Sequence, residues 1–234
     1  MKRILVLTIC GFVLWSCNSE KKNTNKSSEG TKTAVSSNTA FDCLKKFEDD
    51  YSLLLTKEDI ASVYNLDFAQ AKQELRSGSY GEHIYQWASD RPDLTMEISG
   101  MKMQLPDENT LGIKNFVFNE NQNNLESAIS FFDMGYKKLS EQELEKIQDN
   151  LDKQNDAIKE TGKKLMEVRE QRSWDFVEDL GSSAWYKWSA NYGGELVVMA
   201  GKSKFTIISK VSEDPMENRD IAEKLAQKVL NKCK

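Results

Sequence analysis

Histidine is nearly missing from this sequence: of 234 residues, only His83 carries an imidazole. A Cys-His or Ser-His dyad would have to use it, yet its setting, Gly81-Glu82-His83-Ile84-Tyr85, holds no serine nucleophile elbow. GxSxG, GxxxxGK(S/T), HExxH, CxxC and EF-hand patterns are all lacking, so phosphate, zinc and calcium sites have no motif behind them and no cofactor is expected. Asp149, Asp152 and Asp156 recur at three and four residues along a polar helical face. Without the glycine turn of a calcium loop they read as solvated surface, and metal ligands are not expected. The 37 acidic residues leave a carboxylate pair for glycoside hydrolysis open, but no spacing singles one out. Positive charge is in deficit as well, the formal balance being −5. An acidic chain is a poor match for phosphate backbones or anionic lipid surfaces, so nucleic acid is not an expected partner. Finally, no apolar run is long enough to cross a bilayer. The longest, Ile4 to Trp15, reaches about 18 Å as a helix against a hydrocarbon core of roughly 30 Å.

That run nevertheless has an address. Lys2 and Arg3 precede it, and Ser16 and Cys17 follow, giving a charged start, an apolar middle and a small residue before a cleavage point. An ordinary secretory signal needs small residues at both −1 and −3, and Leu14 fills −3 for a cut before Cys17. Leu14-Trp15-Ser16-Cys17 instead resembles the lipobox of bacterial lipoproteins, departing from it in the bulk of Trp15. The resemblance implies a signal peptide over 1–16, lipid such as palmitate on Cys17, and residence at the cell envelope on a membrane. Asn18 in place of aspartate implies passage to the outer membrane, with the leaflet left open; Glu20-Lys21-Lys22 echoes surface-export signals.

Residues 17–40 carry Val35 as their only large aliphatic side chain. Such a stretch cannot bury enough apolar surface to offset its ordering entropy, and it reads as a disordered tether with a root-mean-square span of about 26 Å. Loss of 1–16 removes Lys2 and Arg3 and no acid, moving the balance from −5 to −7. From Phe41 onward about 190 residues remain, enough for a single domain, 41–234, with its own core. Cys10 leaves with the signal and Cys17 takes lipid, which leaves Cys43 and Cys233 at the domain's two ends. In an oxidising envelope the two suit a disulfide joining the terminal helices, worth up to about 5 kcal/mol for so long a loop; two free thiols are the alternative.

The domain reads as α+β, an antiparallel sheet with terminal helices and a long helical insertion. Phe41, Leu44, Phe47, Tyr51 and Leu54 predict a helix over 41–55, and Thr56 with Asp59 predicts the capped start of another. Period-two alternation predicts strands over 84–88, 94–99, 101–105 and 113–118, with Leu94, Met96 and Ile98 facing inward. Tyr85-Gln86-Trp87-Ala88-Ser89, then Asp93-Leu94 and Gly100, has a counterpart in Tyr186-Lys187-Trp188-Ser189-Ala190, then Glu195-Leu196 and Gly201. The parallel suggests two repeated three-stranded units, the second completed by 204–211, with chance similarity of two hairpins as the alternative. Between them Leu125 to Tyr136 is an apolar-rich helix, and Ser140 with Glu143 caps another expected to reach Arg172. Leu144, Leu151, Ile158 and Leu165 recur every seven residues there, with Ile147, Gln154, Thr161 and Val168 as companions. This narrow seam suits packing on the domain's own sheet, or a coiled-coil arm through which copies self-associate. A last helix is expected over 218–232.

Aromatic residues are the remaining chemical signal. Tyr85 and Trp87 share one strand face, Tyr186 and Trp188 another, while Trp185 sits opposite them with Lys187. Such rows either form a core beneath helices or contact a ligand by stacking. The paired hairpins, the Leu180-Gly181 turn and the helix ending in Cys233 make the domain similar to small uncharacterised envelope lipoprotein domains, which implies a fold class and no activity. The leading expectation is a non-enzymatic binding or interaction module for an envelope protein or small ligand. A hydrolase of envelope polymers and a self-assembling structural lipoprotein are the alternatives.

Overall fold

A computed structural model describes residues 41–78, 81–98, 100–170 and 174–234. The expected signal segment, Cys17 and the expected tether lie outside the described residues, as do Ser99, Arg172 and the side chains of Met96, Ile98, Leu165 and Val168. Among the described residues no helix is long and apolar enough to cross a membrane.

The fold is α+β, built on a seven-stranded antiparallel sheet. Its strands are β1 (Lys72–Arg76), β2 (Glu82–Ala88), β5 (Glu108–Phe118), β6 (Asp175–Phe176), β7 (Ser183–Ser189), β8 (Gly193–Ala200) and β9 (Ser203–Lys210). They lie in the order β1-β2-β5-β9-β8-β7-β6, with β3 (Leu94–Ile98) and β4 (Met101–Leu105) paired apart as a two-stranded ribbon. The run Leu196-Val197-Val198-Met199-Ala200 is apolar without alternation because β8 is covered on both faces. On one face Leu196, Val198, Phe205 and Ile207 meet Ile221, Leu225, Ala226 and Val229 of α6 (Pro215–Asn231). The fully buried Asn218 holds α6 in place: its Oδ1 accepts from the Val211 amide at 2.8 Å, and its Nδ2 donates to Asp214 O at 2.7 Å. On the other face Val197 and Met199 meet Leu125 and Phe132 of α3 (Leu125–Met134).

A disulfide joins Cys43 to Cys233, their Cα atoms 5.6 Å apart, and ties the first turn of the domain to the end of α6. The expected helix over 41–55 is instead a 3-10 turn, Asp42–Phe47, and then α1 (Tyr51–Leu54). Asp50 interrupts the stripe because its carboxylate caps α1 by accepting from the Ser52 amide at 2.9 Å. Thr56 and Asp59 form the expected capping box at α2 (Lys57–Ala61).

Two further differences concern the helical insertion and the suggested repeat. The long helix divides at Lys153–Asn155 into α4 (Glu141–Asp152) and α5 (Asp156–Glu170), since Asn155 caps the second by accepting from the Ile158 amide at 3.1 Å. The two helices pack on each other where Leu151 meets Gly162, and no residue of α4 is fully buried. In the first Tyr-x-Trp segment the strand that follows, Leu94–Ile98, leaves the sheet, whereas β8 stays beside β7. The ribbon continues the β2–β5 pair outward, and Met101, Met103 and Leu105 along β4 are exposed.

Candidate functional site

The structure places the four nominated aromatics on the α6 side of the sheet. Tyr85 and Tyr186 belong to the core, and Trp87 and Trp188 pack half-buried against it. Tyr186 donates its hydroxyl to Pro215 O at 3.0 Å, and burial pushes its pKa up to about 12, so it stays a neutral anchor for α6. Trp87 lies against Tyr64 with ring centroids 5.8 Å apart. These rings do not form an open row. Trp188 alone of the four borders a small cavity of about 240 Å³, beside Pro92 and Leu94.

His83 is enclosed rather than displayed. A carbonyl can only accept, so Nδ1, 3.1 Å from Leu55 O, carries the ring hydrogen. Nε2 is then the acceptor, 2.9 Å from Gln73 Nε2 and 3.0 Å from the Tyr85 hydroxyl. Desolvation lowers the imidazole pKa, more than the Leu55 and Tyr51 backbone and the Asp50 charge restore it. Among the described residues no cluster of three or more His, Cys, Asp or Glu could hold a metal.

Charge is concentrated beside the base of the β3–β4 ribbon. Asp107, almost fully buried, accepts from Arg91 Nε at 2.7 Å and from Lys210 Nζ, while Arg91 Nη1 donates to Asn109 Oδ1 at 2.8 Å. Lys210 Nζ also donates to Asn191 O at 2.8 Å. Burial opposes the Asp107 charge, yet the hydrogen bonds from Arg91 and Lys210 overcome it and hold the carboxyl below its ordinary range. Every member of this knot is engaged within it. It joins the ribbon's return to the ends of β5 and β9, which is a structural task.

A groove of about 660 Å³ lies on the opposite face, between α3 and the sheet. Leu125, Ala128, Ile129, Phe132 and Tyr136 recur at helical spacing and turn toward the strands. Asp133 fixes the helix by accepting from Trp185 Nε1 at 2.8 Å and from the Ser183 hydroxyl. One wall is therefore α3, with Phe132 and Tyr136 inward and Phe131 at the mouth, 76% exposed. Full burial of a phenylalanine is worth roughly 1.5–3 kcal/mol, so such exposure leaves a gain available to a ligand. The floor is set by strand register. Val117 of β5 pairs with Lys204 of β9, and Lys204 pairs with Met199 of β8, which lines all three up on the α3 face. Asn119, Gln122 and Lys202 close one end. Burial, with the nearby Glu195 charge, raises the Tyr136 pKa, so its phenol remains protonated at the groove wall.

No sequence motif singles out Phe131, Tyr136, Lys202 or Lys204. One signal was available: α3 places Phe131 and Met134 outside its buried stripe, more apolar surface than one packed face requires. The lining contains no carboxylate, histidine or cysteine among the described residues. No protein-family model, no curated protein and no solved structure matches this chain.

Proposed function

We propose that this chain is an envelope lipoprotein, anchored through lipid on Cys17, whose domain is a non-enzymatic module binding a small apolar ligand between α3 and the sheet. The observation that carries the reading is the groove itself. Its volume of about 660 Å³ falls within the range of small-molecule sites, and its walls are aromatic and aliphatic with a few polar groups at one end. A hydrolase would need an activated nucleophile or paired carboxylates at the cleft; Ser127 and Ser203 line this groove, but no histidine or carboxylate among the described residues lines it beside them. The tether over 17–40 lets the groove work within reach of a membrane surface, at the outer membrane by the residue after Cys17.

Binding is tested with N-phenyl-1-naphthylamine, a neutral probe that brightens in apolar surroundings. Saturable brightening, weakened by Phe131→Asp, supports the reading, and no saturable signal ends it. Anchoring is tested by labelling with an alkyne fatty acid, which should mark the wild type and not Cys17→Ala. Equal labelling of both would remove Cys17 from the proposal.

A second reading, a structural lipoprotein self-associating through its helical insertion, draws support from α4, none of whose residues is fully buried. Sedimentation of residues 41–234 at micromolar concentration decides it, because a monomer excludes pairing through α4 and α5 at that concentration.

A further inference from the structure

We infer that the groove between α3 and the sheet selects an anionic amphiphile, an aliphatic chain ending in a carboxylate, with Lys204 as the group that reads the charge. The inference rests on the binding role proposed for this groove and adds the class of ligand.

On the α3 face Lys204 stands between Val117 on β5 and Met199 on β8, so an ammonium group rises from an otherwise apolar floor. Its neighbours offer it no compensation. Lys204 makes no side-chain hydrogen bond or ion pair among the described residues, in contrast to Lys114 and Lys187, which lie on the same face and share Glu195 at 2.7 Å and 2.5 Å. The second cation at the groove, Lys202, reaches Asp42 only at 4.0 Å. Two lysines and no acid therefore line a groove in a chain whose overall balance is −5, so this lining runs against the charge of the molecule as a whole. A neutral apolar ligand would bury the floor and leave Lys204 partly desolvated with no partner, which is unfavourable. A ligand with an aliphatic body against Phe131, Phe132 and Met199 and a carboxylate at Lys204 satisfies both halves. A cationic amphiphile of the same length fits the apolar walls equally and meets repulsion at the head.

The experiment displaces N-phenyl-1-naphthylamine from the disulfide-bonded domain with decanoate, decanol and decyltrimethylammonium, each below its micellar concentration. Decanoate is expected to compete about tenfold more tightly than decanol, an advantage in line with one partly screened charge pair, with the cation weakest. Lys204→Met preserves the length of the side chain and should remove the preference, by weakening decanoate and strengthening decanol if anything, and Lys204→Arg should restore it. Lys204 is exposed, so these variants do not disturb the core, and Lys202→Met gives a second reading of the same charge. Equal competition by decanoate and decanol would overturn the inference while the binding role stands. Persistence of the preference in Lys204→Met would overturn it too, and failure of the probe to bind at all would remove both the inference and the binding role.

Discussion

The Trp185 indole donates a 2.8 Å hydrogen bond to Asp133 Oδ1, and the Ser183 hydroxyl donates to the same oxygen, so one carboxylate fastens α3 to β7. Asp133→Ala would leave the buried Ser183 hydroxyl and the indole N–H without their acceptor, at a cost of about 1–3 kcal/mol. The expected result is a lower urea midpoint followed by tryptophan fluorescence, together with weaker probe binding in the groove that α3 walls. Asp133→Asn retains an acceptor oxygen and should recover most of the loss. An unchanged midpoint in the alanine variant would show that apolar packing alone holds the helix.

The parts of the fold that sequence revealed are those in which side chains decide the structure. Glu195-Leu196 ahead of the Gly201 turn marks a strand, and the Thr56-Asp59 and Ser140-Glu143 boxes mark helix starts found where expected. The parts it concealed depend on backbone pairing or on distant residues. Lys72-Gln73-Glu74-Leu75-Arg76 has no apolar alternation, yet it forms β1 because an edge strand needs only the β2 ladder on one side. Leu94, Thr95 and Met96 alternate as a half-buried strand should, but their partner strand β4 is exposed because the ribbon stands beyond the sheet. The groove draws on Val117, Phe131, Met199 and Lys204, which only the β5-β9-β8 order brings together. Within β9 itself, Lys204 beside Phe205 is ordinary alternation and signals no site.

The Cys43–Cys233 bridge closes a loop spanning 190 positions, and in the chain-entropy account such a closure contributes up to about 5 kcal/mol. Replacing both cysteines with serine should lower the thermal midpoint markedly, and reductant should do the same to the wild type without affecting the variant. Because the bridge ties the first turn to the end of α6, the loss should appear first as proteolytic cutting near residues 41–50. Superimposable melting curves with and without reductant would contradict this.

Asp107 holds two cations, the half-buried Arg91 and the buried Lys210, in one knot. Asp107→Ala leaves both without their carboxylate and should cost about 3–5 kcal/mol. The pH dependence follows from the depressed carboxyl. Its contribution is complete above the unfolded-state value of about 3.9 and is lost as pH falls through the lower folded-state value. The gap in unfolding free energy between the wild type and Asp107→Asn should therefore be constant from pH 5 to 7 by about this account and narrow below about pH 4. A gap that stays constant to lower pH would mean that the ion pairs contribute nothing net.

His83 gives the most direct test, since as the chain's only histidine it yields a single set of imidazole resonances. Burial lowers its pKa, so the folded protein keeps it neutral where the unfolded chain, with a value of about 6.5, begins to take up a proton. The sign is opposite to that of a histidine gaining an acidic partner. Here stability is complete above about pH 6.5 and falls as pH drops toward the folded-state value, because the unfolded state binds the extra proton. The Cε1–H shift should accordingly show no midpoint at 6.5 and move only at lower pH. Nδ1 should remain protonated, since Leu55 O holds it at 3.1 Å, and Nε2 should behave as the acceptor shared by Gln73 and Tyr85. Substituting Tyr85 with Phe removes one of those donors and should leave the tautomer intact, since Leu55 O alone fixes it. A midpoint at or above 6.5 would mean that His83 is open to solvent or faces a carboxylate, and a histidine-based chemistry would then have to be reconsidered.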